Sequence, residues 1–304
     1  MSRQSDILHI NSISELMREL GFPAPLHPLV ALVDYENTRV NTPEPGRKLT
    51  IDFYKISFKN KYQGRVRYGQ GHYDFDEGGL AFLKPKQVVT TPGDTNSYEG
   101  FALYFHADLL RNYPLGSTIS HFGFFSYDVS EALFLSANEK QIVTGIFASI
   151  SSELANNIDQ FSQDILVSQI ELLLNFSKRF YNRQFITRKT INHGIINALD
   201  KLLDNYFQNN IALKEGLPTV QELCRQLNLS PRYLSDLLGS LTGRNTQQYI
   251  QDKILEQSKD LLSTTSMSVS EVAYTLGFEH PQSFIKFFRS RSNMTPLKFR
   301  QSFD

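Results

Sequence analysis

The segment Ser268–Arg300, SVSEVAYTLGFEHPQSFIKFFRSRSNMTPLKFR, restricts the possible folds more than any other part of the chain. Val269, Val272, Ala273 and Leu276 recur at helical spacing behind small polar residues, which predicts a short amphipathic helix. Gly277 ends that helix where a residue of positive φ is wanted, and Phe278 plugs the corner. A second helix is expected from about His280 and Pro281 through Phe284, Phe287 and Phe288. Two short helices joined by a tight glycine-containing turn make a helix-turn-helix, whose second helix fits a DNA major groove. The surroundings are basic: Lys286, Arg289, Arg291, Lys298 and Arg300 stand between His280 and Phe303 with no Asp or Glu among them.

The pattern occurs once before. Val220, Glu222, Leu223, Cys224, Leu227 and Asn228 correspond to Val269, Glu271, Val272, Ala273, Leu276 and Gly277, all at an offset of 49 residues. One residue inserted beyond the turn aligns Leu234 with Phe284. A shared offset over these positions indicates two tandem copies of one unit. Cys224 and Ala273 are both small enough for close helix crossing, and Asn228, like Gly277, tolerates a left-handed corner. Between the copies, Asn245 can cap a helix running to about Leu262, with Tyr249, Ile250, Ile254 and Leu261 facing inward. At ~1.5 Å per residue that rod spans roughly 25 Å. With the half-widths of the units added, it can separate two helices by the ~34 Å between successive major grooves.

The N-terminal half follows another rhythm. Asn11 or Ser12 caps a short helix with Glu15 in its first turn, and Pro23, Pro25 and Pro28 prevent its continuation. From Leu29 to about Phe125, short apolar runs (LVALVDY, TIDFYKISF, GRVRYG, HYDFD, LAFLKP, QVVTT, EGFALYFH) alternate with turns such as Asp76–Gly79 and Thr91–Asp94. That spacing predicts a small barrel or double-sheet jelly roll. Two helical stretches follow, one striped by Ile142, Ile146, Ile150 and Leu154, the other by Leu166, Ile170, Leu173 and Phe180. The second is apolar on more than one face, through Leu172, Leu174, Phe176 and Tyr181. It therefore suits either a buried helix or a dimer seam, with Leu166, Ile170 and Leu173 as the seam candidates.

Charge distribution decides more than charge sum. The chain of 304 residues has no net charge, yet the stretch 121–170 carries six acids (Asp128, Glu131, Glu139, Glu153, Asp159, Asp164) against Lys140 alone, so the basic face is local. No apolar run reaches membrane-spanning length, and Arg3, Asp6 and Glu15 occupy the N-terminus in place of a secretory core; a cytoplasmic protein is expected. The single cysteine, Cys224, excludes a disulfide within the chain and a cysteine-rich zinc site. It sits mid-helix among apolar neighbours, where a thiol stays inert. His72 and His106 stand apart and Gln87 follows Pro85-Lys86, so neither a metal nor another cofactor is expected.

Residues 190–304 resemble the DNA-binding domain of the AraC/XylS family of bacterial transcription regulators. EVAYTLGF, then F-x-x-x-F-R at Phe284–Arg289, then TP-x-x-F-R at Thr295–Arg300 carry the likeness. Asn293 stands where the family usually has Gly, and Lys253 and Ser258 where Arg and Ala are common. GLAFLKPKQVV resembles the middle of the family's cupin-type sensing domain. The resemblance implies an α+β chain of two domains, a cupin-like β-barrel or jelly roll with flanking helices and an all-α domain with two helix-turn-helix units. Expected boundaries are 1–135 for the β domain, 136–189 for a helical dimerisation segment and 190–304 for the DNA-binding domain. Within the last, the helix-turn-helix units fall at about 219–242 and 268–292 and the connecting helix at about 245–262.

It further implies double-stranded promoter DNA, a second copy of the chain, RNA polymerase and a small-molecule effector as partners, with no membrane and no catalysis. Arg232, Ser235 and Asp236 align with positions the family uses for base contacts; Gln282, Ser283 and Lys286 point outward on the second recognition helix. Arg289 and Arg291 are expected on phosphates. Tyr54, Arg67, Tyr68, His72 and Tyr104 are the expected effector-pocket residues, and Arg65 or Arg67 facing inward would favour an anionic effector. The competing readings are a cupin-type enzyme carrying an accessory DNA-binding domain and a regulator that needs no ligand.

Overall fold

Strict alternation builds the central strand. In Tyr54–Tyr62, Ile56 and Phe58 interleave with Lys55, Ser57 and Lys59, so one face is apolar and the other polar. The computed structural model describes residues 7–35, 47–62, 66–68, 71–73, 78–90 and 98–303. The chain divides into two units, Met1–Gln184 and Phe185–Asp304.

The strands of the first unit are β1 (Leu8–Ile10), β2 (Val30–Asp34), β3 (Lys48–Ile51), β4 (Tyr54–Tyr62), β5 (Val66–Tyr68), β6 (Gly71–Tyr73), β7 (Gly79–Leu83), β8 (Val89–Thr90), β9 (Tyr98–Phe105) and β10 (Leu133–Phe134). They form a five-stranded antiparallel sheet, β10-β7-β4-β9-β2, a three-stranded sheet, β1-β3-β8, and the hairpin β5-β6. The helices are α1 (Ile13–Glu19), α2 (Pro114–Thr118), α3 (Ala137–Ala155) and α4 (Ser162–Thr187). Ser12 caps α1 by accepting from the Glu15 amide, and the Glu15 carboxylate accepts in return from Asn11. Residues 76 and 77 of the first expected turn, and all of the second at 91–94, lie outside the described residues.

The large sheet buries both faces, each against a different partner. Ile56, Phe58, Leu80, Phe82, Leu103 and Phe105 fill one side, where Phe58 stacks on Phe147 of α3 and Phe82 meets Tyr181 of α4. Each such side chain contributes about 1.5–3 kcal/mol on burial. The other face, with Ala31, Val33, Ala102 and Tyr104, packs on Ile10, Ile13, Leu16 and Met17 of β1 and α1. The helical segment expected at 136–189 is therefore not separate from the β elements: α3 and α4, as far as Gln184, cover the sheet.

This packing corrects the expected dimer seam. Leu166, Ile170 and Leu173 are exposed by 1%, 0% and 0%, turned into the unit's own core. Apolar residues left outward include Phe161, just before α4, at 57%, and Ile165 at 40%, Leu172 at 47% and Ile186 at 53% on it. No helix among the described residues is long and apolar enough to cross a membrane.

The second unit is helical: α5 (Lys189–Gln208), α6 (Ile211–Glu215), α7 (Val220–Leu227), α8 (Pro231–Thr242), α9 (Thr246–Thr264), α10 (Val269–Thr275), α11 (Pro281–Ser292) and α12 (Pro296–Arg300). Asn245 opens α9 with a reciprocal cap to Gln248. Ile250, Ile254 and Leu262 of that helix join one core with Leu223, Cys224, Leu234, Leu238, Val272, Ala273, Phe284 and Phe288. Tyr249 donates to Asp200 of α5 at 2.8 Å and Lys253 pairs with Asp204 at 3.0 Å, fixing the rod to the helix before the repeats. Burial, then the bond to Asp200, hold the Tyr249 hydroxyl well above the ordinary tyrosine range.

Candidate nucleic-acid interface

Each helix-turn-helix begins with the same local chemistry. Thr219 caps α7 by accepting from the Glu222 amide, and Ser268 caps α10 from Glu271, whose carboxylate accepts from the Ser268 amide. Both corners then close alike. Leu229 donates its amide to the Cys224 carbonyl at 3.0 Å, and Phe278 to Ala273 at 2.9 Å, with Asn228 at φ 53° and Gly277 at φ 90° between them. The shared offset thus reappears as matching hydrogen bonds.

The corners differ in what surrounds them. A Cβ on Gly277 would lie 2.6 Å from the backbone of Gly216 and 2.9 Å from the Ala212 carbonyl oxygen of α6. Only glycine satisfies both that approach and the positive φ. Asn293, standing where the resembled family usually has Gly, closes α11 in the same left-handed region at φ 57°.

On α8, Ser230 caps by accepting from Tyr233, Pro231 takes the first turn, and Tyr233, Leu234, Leu237 and Leu238 are buried. Arg232 is exposed, with Ser235 and Asp236 half-exposed beside it. Arg232 Nε donates to Asp236 Oδ2 at 3.0 Å, so the two charges of this helix neutralise each other. On α11, Phe284 and Phe288 are buried while Phe287 rests on Phe278 with ring centroids 5.5 Å apart. Gln282, Ser283, Lys286 and Arg289 are exposed. The His280 side chain makes no capping bond, which leaves the start of α11 open to an oxygen from outside.

Two expected members of the basic face are engaged elsewhere. Arg291 hydrogen-bonds Gln251 and lies 3.6 Å from Asp252 of α9, and Arg244 also pairs with Asp252. Arg300 Nε donates to the Leu262 carbonyl at 3.0 Å, tying α12 to the end of α9. Lys286, Arg289 and Lys298 have no ion-pair partner among the described residues. The role of Asp252 was missed from sequence; an acid on the connecting helix among apolar inward positions was its only mark.

In the first unit the expected pocket residues do not converge. Tyr54 opposes Phe105 and Tyr104 opposes Lys55 in the β4–β9 register, so Tyr54 and Tyr104 point to opposite faces. Tyr54 stacks on Phe105 at 5.1 Å, on the helix side, whereas Tyr104 is buried against Phe53 on the other side. Tyr54 is therefore no neighbour of Tyr104 in any one pocket. Arg67 and His72 oppose each other in the β5–β6 hairpin, but the side chains of Arg67, Tyr68 and His72, and all of Arg65, lie outside the described residues. His106 accepts from the Asp108 amide at 3.2 Å and caps the turn that follows β9.

Two helix pairs closed by matching corners and braced on one rod, with a two-sheet β unit before them, define a helix-turn-helix regulator with a separate sensing domain. Residues 50–169 match the AraC-like ligand binding domain and residues 223–302 match a helix-turn-helix domain. The chain is 23% identical over 261 residues to the Msm operon regulatory protein of Streptococcus mutans serotype c, covering 82% of this chain and 84% of that one. It is 28% identical over 143 residues to the transcriptional activator RhaS of Salmonella arizonae, 47% of each chain. The solved DNA-binding domain of AdpA, in complex with a target DNA, aligns at 24% identity and a TM-score of 0.31, over 36% of this chain and 91% of that one. The chain belongs to the AraC/XylS family of transcription regulators.

Proposed function

We propose that the chain is a cytoplasmic homodimer that reads promoter DNA with α8 and α11 in successive major grooves. The observation that carries this is the pair of matching corners, each sending its apolar residues into one core and leaving Arg232, Ser235 and Asp236, or Gln282, Ser283 and Lys286, outward. Gln282 suits adenine, Arg232 guanine and Asp236 a cytosine amino group. Arg289, Lys298 and the open start of α11 serve phosphates, while Arg291, held by Asp252, lies beside them. A small molecule held in the β unit shifts the balance between two arrangements of the dimer, and so activates or represses a promoter through RNA polymerase. No catalytic step is assigned.

The seam we assign to the outer face of α4. Phe161, Ile165, Ser168 and Leu172 follow the alternating spacing of four and three residues that pairs two helices. Leu172→Asp should yield monomers in sedimentation; an intact dimer would place the contact elsewhere. For DNA, in vitro selection from a random library followed by anisotropy tests the reading. A site of two half-contacts about one helical turn apart is expected. Equal affinity for selected and random duplexes would overturn it.

A further inference from the structure

We propose that Asp252 is a positioning residue for DNA reading: its carboxylate ties the far end of α11 to the turn after α8, and so fixes the separation at which the two recognition helices meet a duplex. This rests on the reading of α8 and α11 as helices that enter successive major grooves, and names what sets their spacing.

The half-buried carboxylate has one arginine at each oxygen. Arg244 Nη1 donates to Asp252 Oδ2, while Arg291 Nη1 lies 3.6 Å from Oδ1 and Arg291 Nη2 donates to Gln251 Oε1. Arg244 stands in the turn between Gly243, the left-handed end of α8, and Asn245, the cap of α9. Arg291 belongs to the last turn of α11. The two units are thus joined at one side chain of the rod between them. Tyr249 and Lys253 of the same rod turn instead to Asp200 and Asp204 of α5, and anchor it to the helix before the repeats.

Apolar burial alone leaves α11 free to rock. Phe284 and Phe288 share a core with Ile250 and Ile254 of α9, and that attraction has no direction. Gln282 and Arg291 lie beyond this pair on opposite sides, nine residues apart, or about 14 Å at ~1.5 Å per residue. A helix rocking about the two phenylalanines moves Gln282 nearly as far as Arg291, in the opposite sense. The charge-assisted bonds at the Arg291 end are directional and oppose that motion. Charge points the same way. A carboxylate between two arginines weakens their attraction for phosphate, so its benefit to a DNA reader lies in geometry.

The test uses the full chain and the duplex selected in vitro, with companions carrying one base pair more or fewer between the two half-contacts. Each step shifts one contact by about 3.4 Å and turns it by about 35°. Anisotropy reads affinity, and urea unfolding reads stability. The wild type should lose about tenfold or more on either companion, the scale of one mismatched base pair. Asp252→Asn should cut that penalty to about threefold or less, and bind random duplex a few-fold more tightly because both arginines are released to phosphate. Asp252→Glu keeps a charged acceptor and should retain most of the penalty. Arg291→Gln should relax spacing without the gain on random duplex, and stands in for Asp252→Asn should that variant not fold. A wild-type penalty preserved in folded Asp252→Asn and Arg291→Gln would overturn the inference and leave the two-groove reading intact. Equal relaxation by Asp252→Asn and Asp252→Glu would also overturn it. A wild type indifferent to spacing would overturn the two-groove reading, and the inference with it.

Discussion

The two helix-turn-helix units share a backbone plan and divide the electrostatic work unequally. On α8, Arg232 is spent on Asp236, and Ser230 already caps the start. On α11, Lys286 and Arg289 have no ion-pair partner among the described residues, Arg291 is braced by Asp252, and no side chain caps the start. The first unit is suited to discriminating between bases, because its outward groups can choose partners but attract phosphate weakly. The second is suited to supplying affinity, because its outward charge is uncompensated. The corners differ in the same sense: Gly277 is demanded by φ and by close packing on Gly216, Asn228 by φ alone.

The largest effects should come from the corners. Gly277→Ala forces both a left-handed alanine, at ~1–2 kcal/mol, and displacement of the α6 backbone, so a total above about 3 kcal/mol is expected. Asn228→Gly should change stability by less than about 1 kcal/mol, since glycine takes that φ freely. Urea unfolding of the full chain measures both; equal costs would erase the difference between corners. Next come the recognition helices. Lys286→Ala should weaken the selected site by roughly 1–3 kcal/mol and relax preference at one base pair if the contact is to a base. Arg232→Ala should relax one position with a smaller loss on random DNA. A uniform loss for both, with each salt slope reduced by about one, would make the units equivalent phosphate binders.

The corners were legible because positive φ is a local property that Gly and Asn announce in sequence, and the cap Asn245 was legible because capping, too, is decided by a side chain and its nearest amides. Tertiary partners were not. Leu166, Ile170 and Leu173 read as a stripe that must be covered, but a stripe does not say whether the cover is the chain's own sheet or a second copy. Arg291 and Arg300 read as basic-face members, yet they are held by Asp252 and by the Leu262 carbonyl, contacts that only folding reveals. In β4 the alternation of Ile56 and Phe58 against Lys55, Ser57 and Lys59 did fix which side chains travel together. It could not say that the lysine face is the inner one, since polar faces of antiparallel sheets usually meet water.

Capping offers a smaller contrast. Ser230→Ala removes the acceptor for the Tyr233 amide and should cost ~1 kcal/mol of stability. His280→Ala, which removes no capping bond, should cost almost none in the free protein. Replacing His280 with Ser tests the open start of α11 from the other side. A gain in thermal stability together with weaker DNA binding would show that the duplex uses those amides. Unchanged DNA affinity would assign phosphate binding to Lys286, Arg289 and Lys298 alone.

The smallest effect is the most discriminating. Asp236→Asn frees Arg232 without removing it, and it deletes a negative charge that faces DNA. The exposed pair itself is worth at most ~1 kcal/mol, so stability should scarcely move. Binding to random duplex should strengthen by a few-fold, through the added attraction of Arg232 for phosphate, and its salt slope should steepen by about one. Binding to the selected site should gain less, because Asp236 loses its own base partner. The ratio of specific to random affinity would then fall even as affinity rises. The same change could not be produced on α11, where no acid among the described residues pairs with Lys286 or Arg289. A mutant that gained equally on all sequences, with no loss at any one base pair, would show that Asp236 only tempers charge, and the division of work between the two units would reduce to electrostatics.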